Sequence, residues 1–298
     1  PVGHWLMAII IYIVVIGVLV IYMIGEGRIL AQFFGGSEFV WTLVFFCFGA
    51  IFIYLGLKTI KVIDFILSLL VLAIILLIAS FVLPHAQTIN YQYNNLANIF
   101  LPYGIVLFAY AGMASVLETH SLLVDHKRTF KKVIIISGII IMIAYGLFTF
   151  AVLGATGQDT TEIATIGLGK AIGPIMTVLG NIFSLLVLAT GFLMVGVSAK
   201  DSLCWDYKMS PTIATALVCG VPLVIFLLGL RQFIIMIDII GGIFLSLEMI
   251  IVLIIYWRAK QKGDLLPGRY KLHHTVFLIV LLVLALTVGA VYSIVKLF

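Results

Sequence analysis

Three carboxylates lie where carboxylates are rare: Glu118, Asp238 and Glu248 each sit inside a long apolar run. An acid in hydrocarbon costs about 2.5–3.5 kcal/mol or more at the centre of a bilayer, so it holds a proton, binds a cation or hydrogen-bonds toward neighbouring helices. The chemistry open to such groups is proton exchange. The plainer role is a neutral acid tying one helix to the next, or one that snorkels to an interfacial Lys or Arg. No Lys or Arg lies deep in any of the runs to pair with them.

Glu118 closes a stretch of unusual composition, Leu101-Pro102-Tyr103-Gly104-Ile105-Val106-Leu107-Phe108-Ala109-Tyr110-Ala111-Gly112-Met113-Ala114-Ser115-Val116-Leu117-Glu118. Small residues crowd its middle at Ala109, Ala111, Gly112, Ala114 and Ser115, where they weaken a helix and let a ligand or another backbone approach. One reading is a discontinuous helix whose unwound peptide groups hold a substrate at mid-membrane. The other is a close helix–helix crossing lined with small residues. Composition leaves both open. On the first reading the substrate-binding residues are Phe108, Ala109, Tyr110, Ala111, Gly112, Met113 and Ala114, with Phe108 and Tyr110 as aromatic walls. Tyr22, Asn181 and Ser184 could face the same cavity, although single Tyr and Asn residues in spans also serve as interface anchors and inter-helix glue.

The elements that position these residues follow from composition. Of 298 residues, 64% are apolar and 10% charged, with a mean hydropathy of +1.30. A soluble domain sits near half apolar and about a quarter charged, so this chain is an integral membrane protein. About 20 apolar residues cross the hydrocarbon core, and spans of that length fall at Trp5–Gly25, Phe39–Leu57, Phe65–Leu83, Ile99–Leu123, Val133–Gly154, Ile175–Ala199, Pro211–Leu230, Phe233–Trp257 and Val276–Val295. Backbone groups in lipid must bond internally, so the spans are α-helices. The fold class is an all-α polytopic bundle of about nine spans in one transmembrane domain, residues 1–298. The first span lacks the basic start and small-residue exit of a signal peptide.

Orientation follows from the basic residues. The loops on one side carry thirteen Lys and Arg: Lys58, Lys61, Lys127, Arg128, Lys131, Lys132, Lys200, Lys208, Arg258, Lys260, Lys262, Arg269 and Lys271. The other side carries four: Arg28, Lys170, Arg231 and Lys296. The positive-inside rule puts the first residue in the cytoplasm and the last outside, in the cell membrane. Anionic headgroups account for the net charge of +5 without any nucleic acid. At 1.5 Å per residue from the outer ends of their spans, Asp238 lies roughly 9 Å deep, Glu248 roughly 24 Å and Glu118 roughly 25 Å. The chain begins with Pro1 rather than Met, and a longer natural N-terminus is expected.

The run from Leu101 to Glu118 is similar to the sixth helix of permeases related to the tryptophan/tyrosine and amino acid/auxin groups. Their pattern is P-[YF]-G-x-x-L-F-A-x-x-G-x-x-[AS]-[IV]-P-E. It matches here at Pro102, Tyr103, Gly104, Leu107, Phe108, Ala109, Gly112, Ser115, Val116 and Glu118, and departs at Leu117, where the pattern has proline. Leu147–Gly157 and Gly180–Lys208 resemble the same group. The resemblance implies a leucine-transporter-like fold, with two inverted five-helix repeats and broken helices one and six. The nine spans then correspond to helices three to eleven, the first two helices of the same protein being absent from this sequence. The implied function is secondary active transport of a neutral or aromatic amino acid by alternating access. The implied coupling ion is H+, with Na+ as second choice, and Glu118 is the leading proton-coupling candidate ahead of Glu248 and Asp238.

Other classes are disfavoured. There is no HExxH, no Gly-rich serine elbow and no paired-aspartate cluster, so the sequence reads as no enzyme, without cofactor or metal. His120 and His126 have no acidic partner pattern, and His273 and His274 sit in a basic loop. Cys47, Cys204 and Cys219 have no metal spacing. Rings of charge and a carbonyl filter, the marks of a channel, are missing. A non-transporting sensor or receptor on the same fold stays open. The polar loop Pro84–Asn98 reads either as a cover for the outer mouth or as a plain solvated loop.

Overall fold

A computed structural model describes residues 2–56, 60–92, 98–112, 115–116, 119–120, 123, 126–263 and 275–297. Among them every regular element is helical. The helices are α1 (Val2–Phe34), α2 (Glu38–Leu55), α3 (Ile60–Val82), α4 (Tyr103–Ala109), α5 (Lys127–Thr156), α6 (Ala164–Ile172), α7 (Pro174–Asp206), α8 (Pro211–Leu227), α9 (Phe233–Ile237), α10 (Ser246–Lys262) and α11 (Thr275–Leu297). A π-helical segment, Asp238–Leu245, joins α9 to α10. Seven helices among the described residues are long and apolar enough to cross a bilayer, so this is a multi-pass helical membrane protein. Ile135, Ile136, Ile139, Ile140 and Ile143 of α5 and Val276, Phe277, Val280, Leu281 and Leu284 of α11 are exposed. Apolar faces of that size belong in lipid.

Several predicted span limits need correction. The first helix does not stop at Gly25 but runs on to Phe34, carrying Glu26 and Arg28 inside it. The sixth predicted span continues past Ala199 to Asp206, so Lys200 lies within a helix and is buried beside Asp201, 3.7 Å away. The seventh ends at Leu227 rather than Leu230. Gly229 adopts φ +100°, a left-handed conformation that turns the chain away from the helix. At its start Ser210 caps α8 by accepting from the Ile213 amide, with Pro211 in the first turn.

The predicted span Ile99–Leu123 is not one helix. The α-helical ladder of α4 runs out at the Tyr110 amide on the Val106 carbonyl, and the Ala111 amide bonds only three residues back, to Phe108. Ala111 and Gly112 are neither helix nor strand. Beyond them a four-residue bond resumes from the Val116 amide to the Gly112 carbonyl. The predicted site residues Met113, Ala114 and Glu118 lie outside the described residues.

The chain forms two compact units. One comprises Pro1–Ile21, Asn95–Ala111 and Ser198–Phe298; the other comprises Tyr22–Asn94 and Gly112–Val197. Within the first, α4 packs against the π segment, which also contacts α10 and α11. Within the second, a core of Ile78, Ala79 and Val82 of α3, Ala151 and Val152 of α5, Leu168 of α6 and Met176 of α7 is sealed from solvent. The described part of the polar loop after α3 is no plain solvated loop. The Gln87 amide and the Asn90 side chain both donate to the Gly154 carbonyl, at 2.9 and 2.7 Å, and the Tyr91 hydroxyl donates to the Phe150 carbonyl at 2.9 Å. Gly154 is among the last four residues of α5, whose carbonyls the helix itself leaves open, whereas the Phe150 carbonyl gains an additional donor.

Candidate functional site

In the first unit the interrupted helix meets a second distorted one. A Cβ on Gly241 would collide with the Gly104 carbonyl and the Phe108 side chain, and one on Gly104 would press on Asp238 and the Gly242 amide. Glycines therefore let the backbones of α4 and the π segment touch. Gly242 likewise accommodates Ser293 of α11, and Gly289 accommodates the Tyr103 ring. This close crossing falls at Gly104, ahead of the small residues from Ala109 onward that suggested one. The break after Ala109 is a separate feature.

The π turn is anchored by side chains. Ser246, fully buried, donates to the Gly242 carbonyl at 2.6 Å and shares a 2.8 Å hydrogen bond with the Tyr103 hydroxyl. Tyr103 also reaches the Leu286 carbonyl of α11 at 3.3 Å. A widened turn loosens the regular backbone ladder, and a hydroxyl one turn on can take up a carbonyl that the ladder holds poorly.

Asp238 opens the π segment and is buried, but it is not an isolated acid. Lys296 of α11 reaches it at 2.5 Å. This is the plainer of the sequence readings, an acid that reaches an interfacial base: Lys296 lies just beyond the predicted end of its span, and its long stem carries the charge inward. Glu248 is buried on α10, ten residues and roughly 15 Å along the axis from Asp238. The structure therefore brings Asp238 against Gly104 of α4, and Phe108 against Gly241. Ala109, Tyr110 and Ala111 are exposed at the end of α4.

The second unit holds Tyr22 and Asn181, on α1 and α7. The Tyr22 ring lies over Gly191, where a Cβ would strike it. Asn181 is buried, and its side-chain oxygen has no hydrogen-bond partner. Ten residues of α7, roughly 15 Å, separate the Tyr22 contact from Asn181. Ser184 pairs with Thr165 of α6 at 2.9 Å, a buried bond between helices rather than a free ligand group.

Sequence reasoning passed over Glu26. It is 0% exposed, and neither carboxylate oxygen has a hydrogen-bond partner. The backbone of Ala189 on α7 lies within electrostatic reach of it. Arg28, two residues on, is engaged elsewhere: it lies 3.6 Å from Glu38 of α2 and pairs closely with Glu162. The available signal was Gly25-Glu26-Gly27-Arg28 between two apolar runs, which reads equally well as the polar end of a span.

No protein-family model matches the chain, and no characterised protein is a significant sequence match to it.

Proposed function

We propose that this protein is a secondary active transporter of neutral or aromatic amino acids, coupled to protons and working by alternating access. The framework is a leucine-transporter-like bundle in the cell membrane, related to the tryptophan/tyrosine and amino acid/auxin permeases. The first residue is cytoplasmic and the last is outside. The observation that carries the reading is the end of α4 at Ala109, within a run otherwise long enough to span the bilayer. An interruption at membrane depth is tolerated where backbone lines a cavity or is buried in protein, and broken helices are how carriers present peptide groups to a zwitterion. The π segment packed on α4 supports it, since such distortions concentrate at functional sites. Buried acids inside spans support proton coupling. The meeting of Arg28, Glu38 and Glu162, and of Lys296 with Asp238, fits the charge count, which puts all five residues at or toward one membrane face.

The test is counterflow in proteoliposomes holding the purified protein and a neutral amino acid such as tryptophan, tyrosine or leucine inside. Accumulation of the labelled amino acid, enhanced by an inward proton gradient, is the expected result. Saturable binding without flux would instead favour a sensor on the same fold. Neither binding nor flux for any neutral amino acid would remove the reading.

A further inference from the structure

Glu26 is the one described carboxyl that is fully sealed with both oxygens unpartnered. Its surroundings explain why nothing neutralises it. On α1, Arg28 lies about 200° around the helix and is held by Glu38 of α2 and Glu162 of the turn before α6. Tyr22 lies one turn earlier on the same helix, with Tyr145 of α5 within electrostatic range of its hydroxyl. From Pro174 to Ala199 α7 carries no charged residue, and it offers only the backbone of Ala189. Gly27 lets α2 close on α1, since a Cβ there would strike Thr42 and the Glu38 carbonyl. An ionised carboxylate here would have no counter-ion and no donor beyond the Ala189 backbone, whereas a protonated one costs far less to bury.

We propose that Glu26 is a proton-binding site, neutral in the conformation seen here, which gives up its proton when rearrangement admits water. The proton adds to a carboxylate oxygen from water and returns to water, so the O–H bond is the only one made and broken. A metal cation needs several converging oxygens, and among the described residues Glu26 belongs to no cluster of three or more His, Cys, Asp or Glu side chains. The use of this proton in a working cycle rests on the transport reading; its presence on Glu26 does not.

Infrared pH-difference spectra of the purified protein in lipid nanodiscs test it, without amino acid present. The expected result is a protonated-carboxyl band at neutral pH that Glu26→Gln removes and Arg28→Gln leaves unchanged. A band of equal size in wild type and Glu26→Gln would overturn the proposal. So would a new band in Arg28→Gln, because it would mean that Arg28 had been holding Glu26 ionised; this arm stands even if the Gln variant fails to fold. Loss of the wild-type band on adding sodium chloride would make the site a cation site and overturn it as well. Absent counterflow with the band in place would remove the transport reading and leave the site. Counterflow with no band would do the reverse.

Discussion

Lys296 holds its ammonium 2.5 Å from a carboxylate oxygen of Asp238, joining the last turn of α11 to the first residue of the π segment. Asp238 is buried, while the Lys296 side chain keeps 31% of its surface exposed. The two partners are therefore not equivalent. Removing the lysine strands a charge in the interior, whereas removing the acid leaves an ammonium that can turn back to water. Lys296→Met should destabilise the protein by about 1–3 kcal/mol, a buried-pair figure reduced for the exposed lysine. Asp238→Asn should cost less, and the double variant should recover part of the lysine loss. Unfolding in mixed micelles measures all three, and an Asp238→Asn loss exceeding that of Lys296→Met would contradict the asymmetry.

Glycine content makes a second contrast. At Gly241 an added methyl meets the Gly104 backbone carbonyl, which cannot rotate away as a side chain could. Gly241→Ala should therefore force α4 off the π segment and cost about 1–3 kcal/mol or more. Gly146, on the exposed face of α5, has nothing near its Cα. Gly146→Ala should gain up to about 0.5–1 kcal/mol by restricting the unfolded chain. Thermal melting of the two variants side by side gives the comparison, and equal effects would mean that the α4 crossing is looser than described.

These residues also mark what the sequence could and could not disclose. The helical membrane class was legible because apolar runs of span length leave the backbone no alternative. The weak point near Ala109 was legible because small residues cluster there. The close crossing at Gly104 was not legible, because Gly104, Gly241, Gly242 and Gly289 act together only once three helices are assembled. An interfacial base for Asp238 was among the readings, but which base could not be named because Lys296 is 58 residues away in the chain. Glu26 was hidden for a related reason. Arg28 beside it suggested a helix end at the interface, but Glu38 and Glu162 take up that charge and the helix continues to Phe34.

The interruption after α4 can be probed directly. With Cys47, Cys204 and Cys219 replaced by Ser or Ala, a cysteine introduced at Ala111 should react with a small maleimide in proteoliposomes. A neutral amino acid should protect it. A cysteine at Ile139 on the lipid-facing side of α5 should show no such protection. Labelling at Ala111 that is indifferent to every amino acid tried would separate the break from substrate binding.

Asn181 offers the sharpest split between folding and function. It is 2% exposed and its side-chain oxygen has no partner, a group that a fold gains little by keeping. An unsatisfied buried acceptor typically costs about 1–3 kcal/mol, so replacing it with an apolar side chain of similar size removes that penalty. Asn181→Leu should melt within about 1 kcal/mol of wild type, or higher, since any bond lost from the amide nitrogen offsets the gain. If the oxygen is retained to meet a substrate ammonium or hydroxyl, the same variant should lose counterflow at least tenfold while remaining folded. Thermal melting and counterflow on one preparation decide between the roles. Unchanged flux would assign Asn181 to packing, and a collapse of stability would show that its amide nitrogen holds α7 in place.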